Sequence, residues 1–239
     1  MRPLTVSFGK VDKAVITTVL SMTWENLSKS LTTEPPESQD KAARGWYIPA
    51  TFNPVYRHSD NYVHRDAITF DFDHANLDTF GVVIYAFEEI AFAIYTTFSH
   101  TYDAPRFRVV VPLSRPVSED EYQAVSRKLA TRVGIDLVAR ESFVPCQMMY
   151  LPARKFGGSF ESIIGKSQDF ADVDAILAGY QDWTDRAQWP RRSDGDDAHL
   201  GTGMAGDPRE KPGIIGEFCR KFDVPAAIAR FDLPYKRVK

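Results

Sequence analysis

Residues 68–100 change hydrophobic period twice, and that restricts the fold more than any other stretch of the chain. The segment "ITFDFDH" alternates, so Ile68, Phe70 and Phe72 share one face and Thr69, Asp71 and Asp73 the other. Next, "HANLDTFGVVIYAFEEIAF" places Leu77, Phe80, Val83, Ile84, Phe87 and Ile90 at steps of three and four, the period of an amphipathic helix. Asn76 is suited to its N-cap, and Asp78 in the first turn faces the helix dipole. Residues 92–100, "FAIYTTFSH", are rich in aromatic and β-branched side chains and read as a strand. Strand, helix and strand in close succession predict a right-handed βαβ crossover and a mixed α/β fold.

A short loop, "SHTYDAP", leads into "RFRVVVPLS", where Arg106, Arg108 and Val110 face one way and Phe107, Val109 and Val111 the other. The short connection predicts antiparallel pairing of the strands that begin near Phe92 and Arg106. Ser118 with Glu121 makes a capping box for a helix reaching about Val133, with Gly134 as its C′ residue. From Cys146, "CQMMYLPA" reads as a strand ended by Pro152, and a shorter helix runs through Val173, Ile176, Leu177 and Tyr180. Upstream, "LTVSF" alternates as a strand, Thr23 caps a short helix that begins "WENL", and residues 28–44 are polar enough for a flexible loop. Residues 185–212 carry charges, Gly and Pro without an apolar period, which is the texture of a linker. The expected organisation is a main domain over 1–184, a linker over 185–212 and a small helical segment over 213–239. Ile214, Ile215, Phe218, Phe222, Ile228 and Phe231 give that last segment its apolar side.

Composition sets limits on the function. With 44% hydrophobic and 26% charged residues the chain is expected to be globular, and at 239 residues it can bury a substantial core. No apolar run approaches the roughly 18 residues of a membrane span, and no secretory signal is evident, so a cytoplasmic protein is expected. Cys146 and Cys219 lack any metal-ligand or disulfide spacing and read as ordinary buried thiols. A net charge of −3 argues against coating nucleic acid through bulk charge, while leaving a local basic groove open.

The chemistry begins with Asp71 and Asp73. Two carboxylates on one face of a strand repel, and each raises the other's pKa unless positive charge stands between them. A divalent cation is the usual answer, since Mg²⁺ and Mn²⁺ favour carboxylate oxygens. The alternative is a strand that ends in solvent with two exposed acids.

The order "ITFDFD", "YTTFSHT", "PRFRVVVPLSRPVSEDEY", "GIDL" and "MMYLPA" resembles the archaeo-eukaryotic primase superfamily, in its branch of phage and plasmid primase-polymerases. The resemblance runs over residues 44–152 and is sharpest over 68–116. Asp71 and Asp73 match that family's acidic pair, and Asp136, flanked by apolar residues, matches its third acid, with Glu141 a rival for that position. His100 matches the histidine of the small-residue-x-His element, with Ser99 beside it where Phe98 holds the small-residue position.

The resemblance implies a two-lobed α/β (α+β) catalytic domain over 1–184, with an α/β lobe, an RRM-like sheet and a cleft between them. It implies a DNA primase-polymerase: metal-dependent, template-directed nucleotidyl transfer in phage or plasmid replication. Asp71, Asp73 and Asp136 are then the catalytic ligands of Mg²⁺ or Mn²⁺, and Ser99, His100, Arg106 and Arg108 bind the nucleotide. Its partners are a single-stranded DNA template, nucleoside triphosphates and a helicase domain or partner beyond residue 239. Arginine suits the triphosphate because its planar fork grips phosphate bidentately. A haloacid-dehalogenase-like phosphatase also ends a strand with D-x-D, but Ala75 stands where its Thr is usual. A glycosyltransferase D-x-D leaves "SHT" and "PRFRV" unexplained. A non-catalytic nucleic-acid-binding replication module is the remaining alternative.

Overall fold

The alternating stretches that begin at Ile68 and Arg106 become parts of two long strands paired antiparallel, and the rest of the main domain is arranged around them. The computed structural model describes residues 2–10, 12–73 and 75–195, with Leu77 in its backbone alone. In chain order, β1 (Leu4–Gly9) and β2 (Thr18–Met22) are followed by α1 (Trp24–Thr32), β3 (Glu37–Ser38), β4 (Trp46–Ile48) and β5 (Ala50–Phe52). Then come β6 (Tyr62–Phe72), α2 (Leu77–Phe87), β7 (Ala93–Thr96), β8 (Phe107–Val117) and α3 (Glu119–Ala130). The remaining elements are β9 (Met149–Tyr150), β10 (Arg154–Lys155), β11 (Ser162–Ile164) and α4 (Val173–Ala178). Among the described residues the strands form a sheet ordered β11-β7-β8-β6-β5, a second ordered β2-β1-β4-β9, and a two-stranded β10-β3 pair.

The expected crossover takes a split form. β6 and β7 each pair antiparallel with β8, so they run parallel to each other with β8 between them. The turn after β7 folds β8 straight back, and β8 is apolar enough on both faces to fill a central slot. Beyond α3, residues 139–142 lie against the Asp71 end of β6, on the edge that β5 leaves unpaired. The Ala139 N–H donates to the Asp71 carbonyl at 2.8 Å, and the Asp71 N–H donates to Ser142 Oγ at 2.9 Å. The result is a β-α-β-β-α order in which a 3-10 turn, Arg140–Phe143, stands where a fourth strand would pair with β6. This is the RRM-like sheet that the resemblance implies. The β1–β4 sheet with α1 forms the other part of the mixed α/β fold.

Each face of the five-stranded sheet is covered. On one, Phe72 stacks on its cross-strand partner Phe107 with centroids 4.7 Å apart, and Phe80 of α2 meets Phe107 edge-on at 4.9 Å. On the other, Ala67, Val110, Ala93 and Tyr95 pack with Leu4, Val6, Trp24, Leu27, Leu31 and Tyr47 of the second sheet and α1. Burial on both sides carries β6 back to Arg65, beyond the alternating stretch, and pairing with β5 extends it to Tyr62. The caps are those expected: Thr23 for α1, Asn76 in a box with Thr79 for α2, and Ser118 with Glu121 for α3. Residues 28–44 are not one loop, because α1 continues to Thr32 over the buried Leu31 and Pro35 is also buried.

The main domain continues past residue 184. The chain divides into Met1–Asp196 and Asp197–Lys239, and the second unit, with the expected helical segment, most of the linker and Cys219, lies outside the described residues. Trp189 is 2% exposed, and its indole N–H donates to the Trp183 carbonyl at 2.7 Å. Arg186 pairs with Asp120 at 2.7 Å, and Arg127 donates to the Pro190 carbonyl at 3.1 Å. Deleting a buried Trp typically costs about 3–5 kcal/mol. A chain ended after Thr184 is therefore expected to unfold at markedly lower urea than one ended after Asp196. Equal midpoints would show that residues 185–195 add nothing to the fold. Cys146 is half-buried, which pushes its thiol pKa up. No described helix is long and apolar enough to cross a membrane.

Candidate active site

Asp71, Arg108 and Tyr95 stand side by side across β6, β8 and β7. Because the Asp71 backbone groups bond outward to residues 139 and 142, Asp71 and Arg108 form a non-hydrogen-bonded cross-strand pair, whose side chains lie closest. Arg108 donates to Asp71 Oδ2 at 3.2 Å and also reaches the Tyr150 carbonyl of β9 at 3.0 Å, tying the two sheets together. Tyr95 meets Tyr47 of β4 through their hydroxyls at 2.9 Å, and burial pushes both phenols up. Burial by itself would lower the Arg108 pKa. Asp71, Tyr95 and Tyr47 outweigh it and raise the pKa, so the guanidinium stays charged.

Asp71, Arg108 and Tyr95 form the floor of a cavity of about 290 Å³ between the sheets. Asp73, Arg106, Thr97, Phe98 and Ser99 line it on the β6–β8 side, residues 147–153 on the β9 side, and Lys13 and Lys41 complete it. The Lys13 and Lys41 ammonium groups lie 5.9 and 5.5 Å from the centre of the Tyr150 ring. Trp46 holds the Lys13 loop by donating from its indole to the Asp12 carbonyl at 3.1 Å. Gly9 is required there, since a Cβ would overlap the Trp46 ring. Four cationic side chains thus face two carboxylates, a local basic site on a chain of negative net charge.

Each aspartate has an arginine beside it. Arg106 approaches Asp73 Oδ1 at 3.4 Å as Arg108 approaches Asp71. Asp71 Oδ1 is buried and has no hydrogen-bond partner. Ser142 aligns the Asp71 backbone, and Tyr122 of α3 donates to the Ser142 carbonyl at 2.8 Å, so α3 helps to position the acid.

Of the residues singled out in the sequence, Asp71, Asp73, Ser99, Arg106 and Arg108 come together at the cavity. Asp136 does not. It lies in a single 3-10 turn, Ile135–Leu137, exposed to solvent, and its Oδ1 accepts from the Ser193 N–H at 2.7 Å. Glu141 is exposed and does not line the cavity either. The expected set of three carboxylates is therefore two at this site, and no group of three or more His, Cys, Asp or Glu is placed to hold a metal among the described residues. Lys13, Lys41, Tyr95 and Tyr150 went unnoticed because the two lysines sit in loops without a periodic signal and the tyrosines read as ordinary strand residues.

His100 acts on the loop. Its Nδ1 accepts from the Arg106 N–H at 3.2 Å, closing the turn between β7 and β8, while Nε2 is buried without a partner. Burial lowers its pKa from the ordinary value, with Glu161 opposing. A folded pKa below the unfolded one means that the folded state binds fewer protons, so this contribution to stability rises with pH. It is present above the unfolded value of about 6.5 and is lost as pH falls below it. Residues 100–106 are expected to lose hydrogen-exchange protection between pH 7 and 5, and a His100→Gln variant should not show that loss. Unchanged protection across that range in the parent would remove His100 from this role.

No curated protein matches the chain. Among solved structures it is similar to the AEP domain of the primase-polymerase of cyanophage S-2L, at 11% identity and a TM-score of 0.43, covering 74% of this chain and 88% of that one. The model of the VapE N-terminal domain matches residues 5–192, which takes in both sheets, every residue that lines the cavity and the buried Trp189. The chain belongs to the VapE N-terminal domain family.

Proposed function

We propose that this chain is a primase-polymerase module that joins nucleotides on a single-stranded DNA template in phage or plasmid replication, within the bacterial host cytoplasm. The observation that carries the reading is the cavity itself, in which Asp71 and Asp73 share one wall with Arg106, Arg108 and Ser99, opposite Lys13 and Lys41. The donor set fits a hard divalent cation: two carboxylates, one with a buried oxygen lacking any partner, beside side chains suited to substrate phosphates. Mg²⁺ commonly takes one or two carboxylates and completes its shell with waters and substrate phosphates. Asp71 and Asp73 would hold Mg²⁺ or Mn²⁺, which when bound stabilises the attacking and leaving oxygens of an in-line displacement.

The chain's own residues do the rest. Arg106 and Arg108 bind and neutralise the triphosphate, and Ser99 offers a hydroxyl at the cavity wall. His100 holds the loop that carries Ser99 and Arg106. Lys13 and Lys41 draw phosphate to the mouth against the chain's overall negative charge. A helicase domain or partner would supply the replication context.

One observation favours a second reading, a nucleic-acid-binding module without catalysis: Asp136 is engaged elsewhere, which leaves two acids at the cavity. Incubation with single-stranded DNA, labelled nucleotides and Mn²⁺, with and without a primer, separates the two. Template-dependent product supports the primase-polymerase. DNA binding without product supports the second reading, and phosphate release without template would point to a phosphatase.

A further inference from the structure

We infer that Arg106 is a displaceable internal counterion, which neutralises Asp73 until a substrate phosphate draws it away and leaves that carboxylate to a divalent cation. Cation and triphosphate then bind as a cooperative pair. This rests on the nucleotidyl-transfer reading of the same cavity.

The two arginines are held differently. Arg108 is 13% exposed and Asp71 18%, and Arg108 has its second anchor on the Tyr150 carbonyl at 3.0 Å. Arg106 is 37% exposed, Asp73 is 42% exposed, and their 3.4 Å contact is the one ion pair of Arg106 among the described residues. Pairs this exposed contribute little, so the contact is easily given up. Arg106 precedes the first residue of β8 and Asp73 follows the last residue of β6, where neither side chain is packed into the sheet. The Arg106 backbone is nevertheless fixed by His100 Nδ1. A fixed backbone under a loosely held guanidinium is an anchored arm.

Charge then sets the order of binding. Asp71, Asp73, Arg106 and Arg108 sum to zero, and Lys13 and Lys41 leave the cavity positive. A lone dication meets no net attraction, and Arg106 stands against its approach to Asp73. A triphosphate is attracted by the lysines and gives Arg106 a more highly charged partner. Its arrival frees Asp73. By linkage, the factor by which nucleotide tightens the cation must equal the factor by which the cation tightens nucleotide.

The test is a Mn²⁺ titration of the full chain followed by electron paramagnetic resonance, with and without a nucleoside triphosphate whose α–β bridging oxygen is replaced by methylene. The parent is expected to bind Mn²⁺ weakly alone and roughly 5- to 150-fold more tightly with the nucleotide, the usual range of coupling between sites. Arg106→Gln should bind Mn²⁺ alone several times more tightly (roughly three- to tenfold) and lose most of the coupling, because the competing charge is gone. Arg106→Lys, which keeps that charge, should stay close to the parent. Asp73→Asn releases Arg106, so it should bind the nucleotide without metal more tightly than the parent does. Parental Mn²⁺ affinity and coupling in Arg106→Gln would overturn the counterion role and leave the nucleotidyl-transfer reading standing. A parent that binds neither Mn²⁺ nor the nucleotide would overturn both.

Discussion

Asp71→Ala is expected to abolish nucleotide incorporation and to lower thermal stability, whereas Asp73→Ala is expected to do only the first. Each substitution removes one of two carboxylates from a site where charge develops in the transition state, and incorporation should fall by two or more orders of magnitude. The stability effects part company because of the partners. Asp71→Ala leaves Arg108, 13% exposed, without its carboxylate between two sheets. Breaking a buried pair by removing one partner costs about 3–5 kcal/mol when burial is complete, and here about 2–4 kcal/mol is expected, since some water reaches both groups and the Tyr150 carbonyl remains. Asp73→Ala breaks a contact exposed on both sides, worth less than about 1 kcal/mol. Two bare carboxylates would have given the opposite sign, with stability gained by deleting either. Calorimetry beside a primer-extension assay reads both effects. A rise in melting temperature for Asp71→Ala would mean that Arg108 is not its counterion in solution.

Much of the fold was legible because its signals are local. The alternation in β6 and β8, the period of α2 and the Thr23, Asn76 and Ser118 caps each depend on residues a few positions apart. β4 and β5 were not read, since they are short and buried on both faces with little alternation. Their identity depends on distant partners, such as Ile48 against Ser7 and Ala50 against Arg65. β2 is exposed over all but Met22, so its pairing with β1 is what makes it a strand. At the site, alternation placed Asp71, Asp73, Arg106 and Arg108 on matching faces of two strands. The register that sets Asp71 opposite Arg108 is fixed across α2, β7 and the loop after it, whose lengths do not specify it. The sequence therefore indicated a need for positive charge but not which groups would meet it. Lys13 and Lys41 reach the cavity from loops placed by Trp46 and by β3, contacts that no local pattern records.

Asp136 marks the limit of reading a site from flanking residues, and its substitution is expected to have the opposite outcome to that of Asp71. Apolar Ile135 and Leu137 matched the flanks of the family's third acid, yet Leu137 is 38% exposed and the Leu137 N–H closes a tight turn on the Gly134 carbonyl at 3.0 Å. Gly134 makes that turn possible, because its φ of 91° is one that other residues rarely adopt. The Asp136 carboxylate is spent on the Ser193 N–H at 2.7 Å, and its own carbonyl accepts from Arg192 at 3.0 Å. Asp136→Ala should thus cost about 1 kcal/mol, the usual worth of one such hydrogen bond, and loosen residues 191–195. Incorporation should stay within about threefold of the parent, since nothing at the cavity depends on a group that does not line it. Glu141→Ala, exposed and outside the cavity, should behave likewise. If Asp136→Ala instead abolished incorporation while the melting temperature held, residues 134–138 would have to swing to the cavity once substrate is bound. Ser193→Pro, which removes the N–H that Asp136 holds, would then be expected to raise incorporation by freeing the third carboxylate.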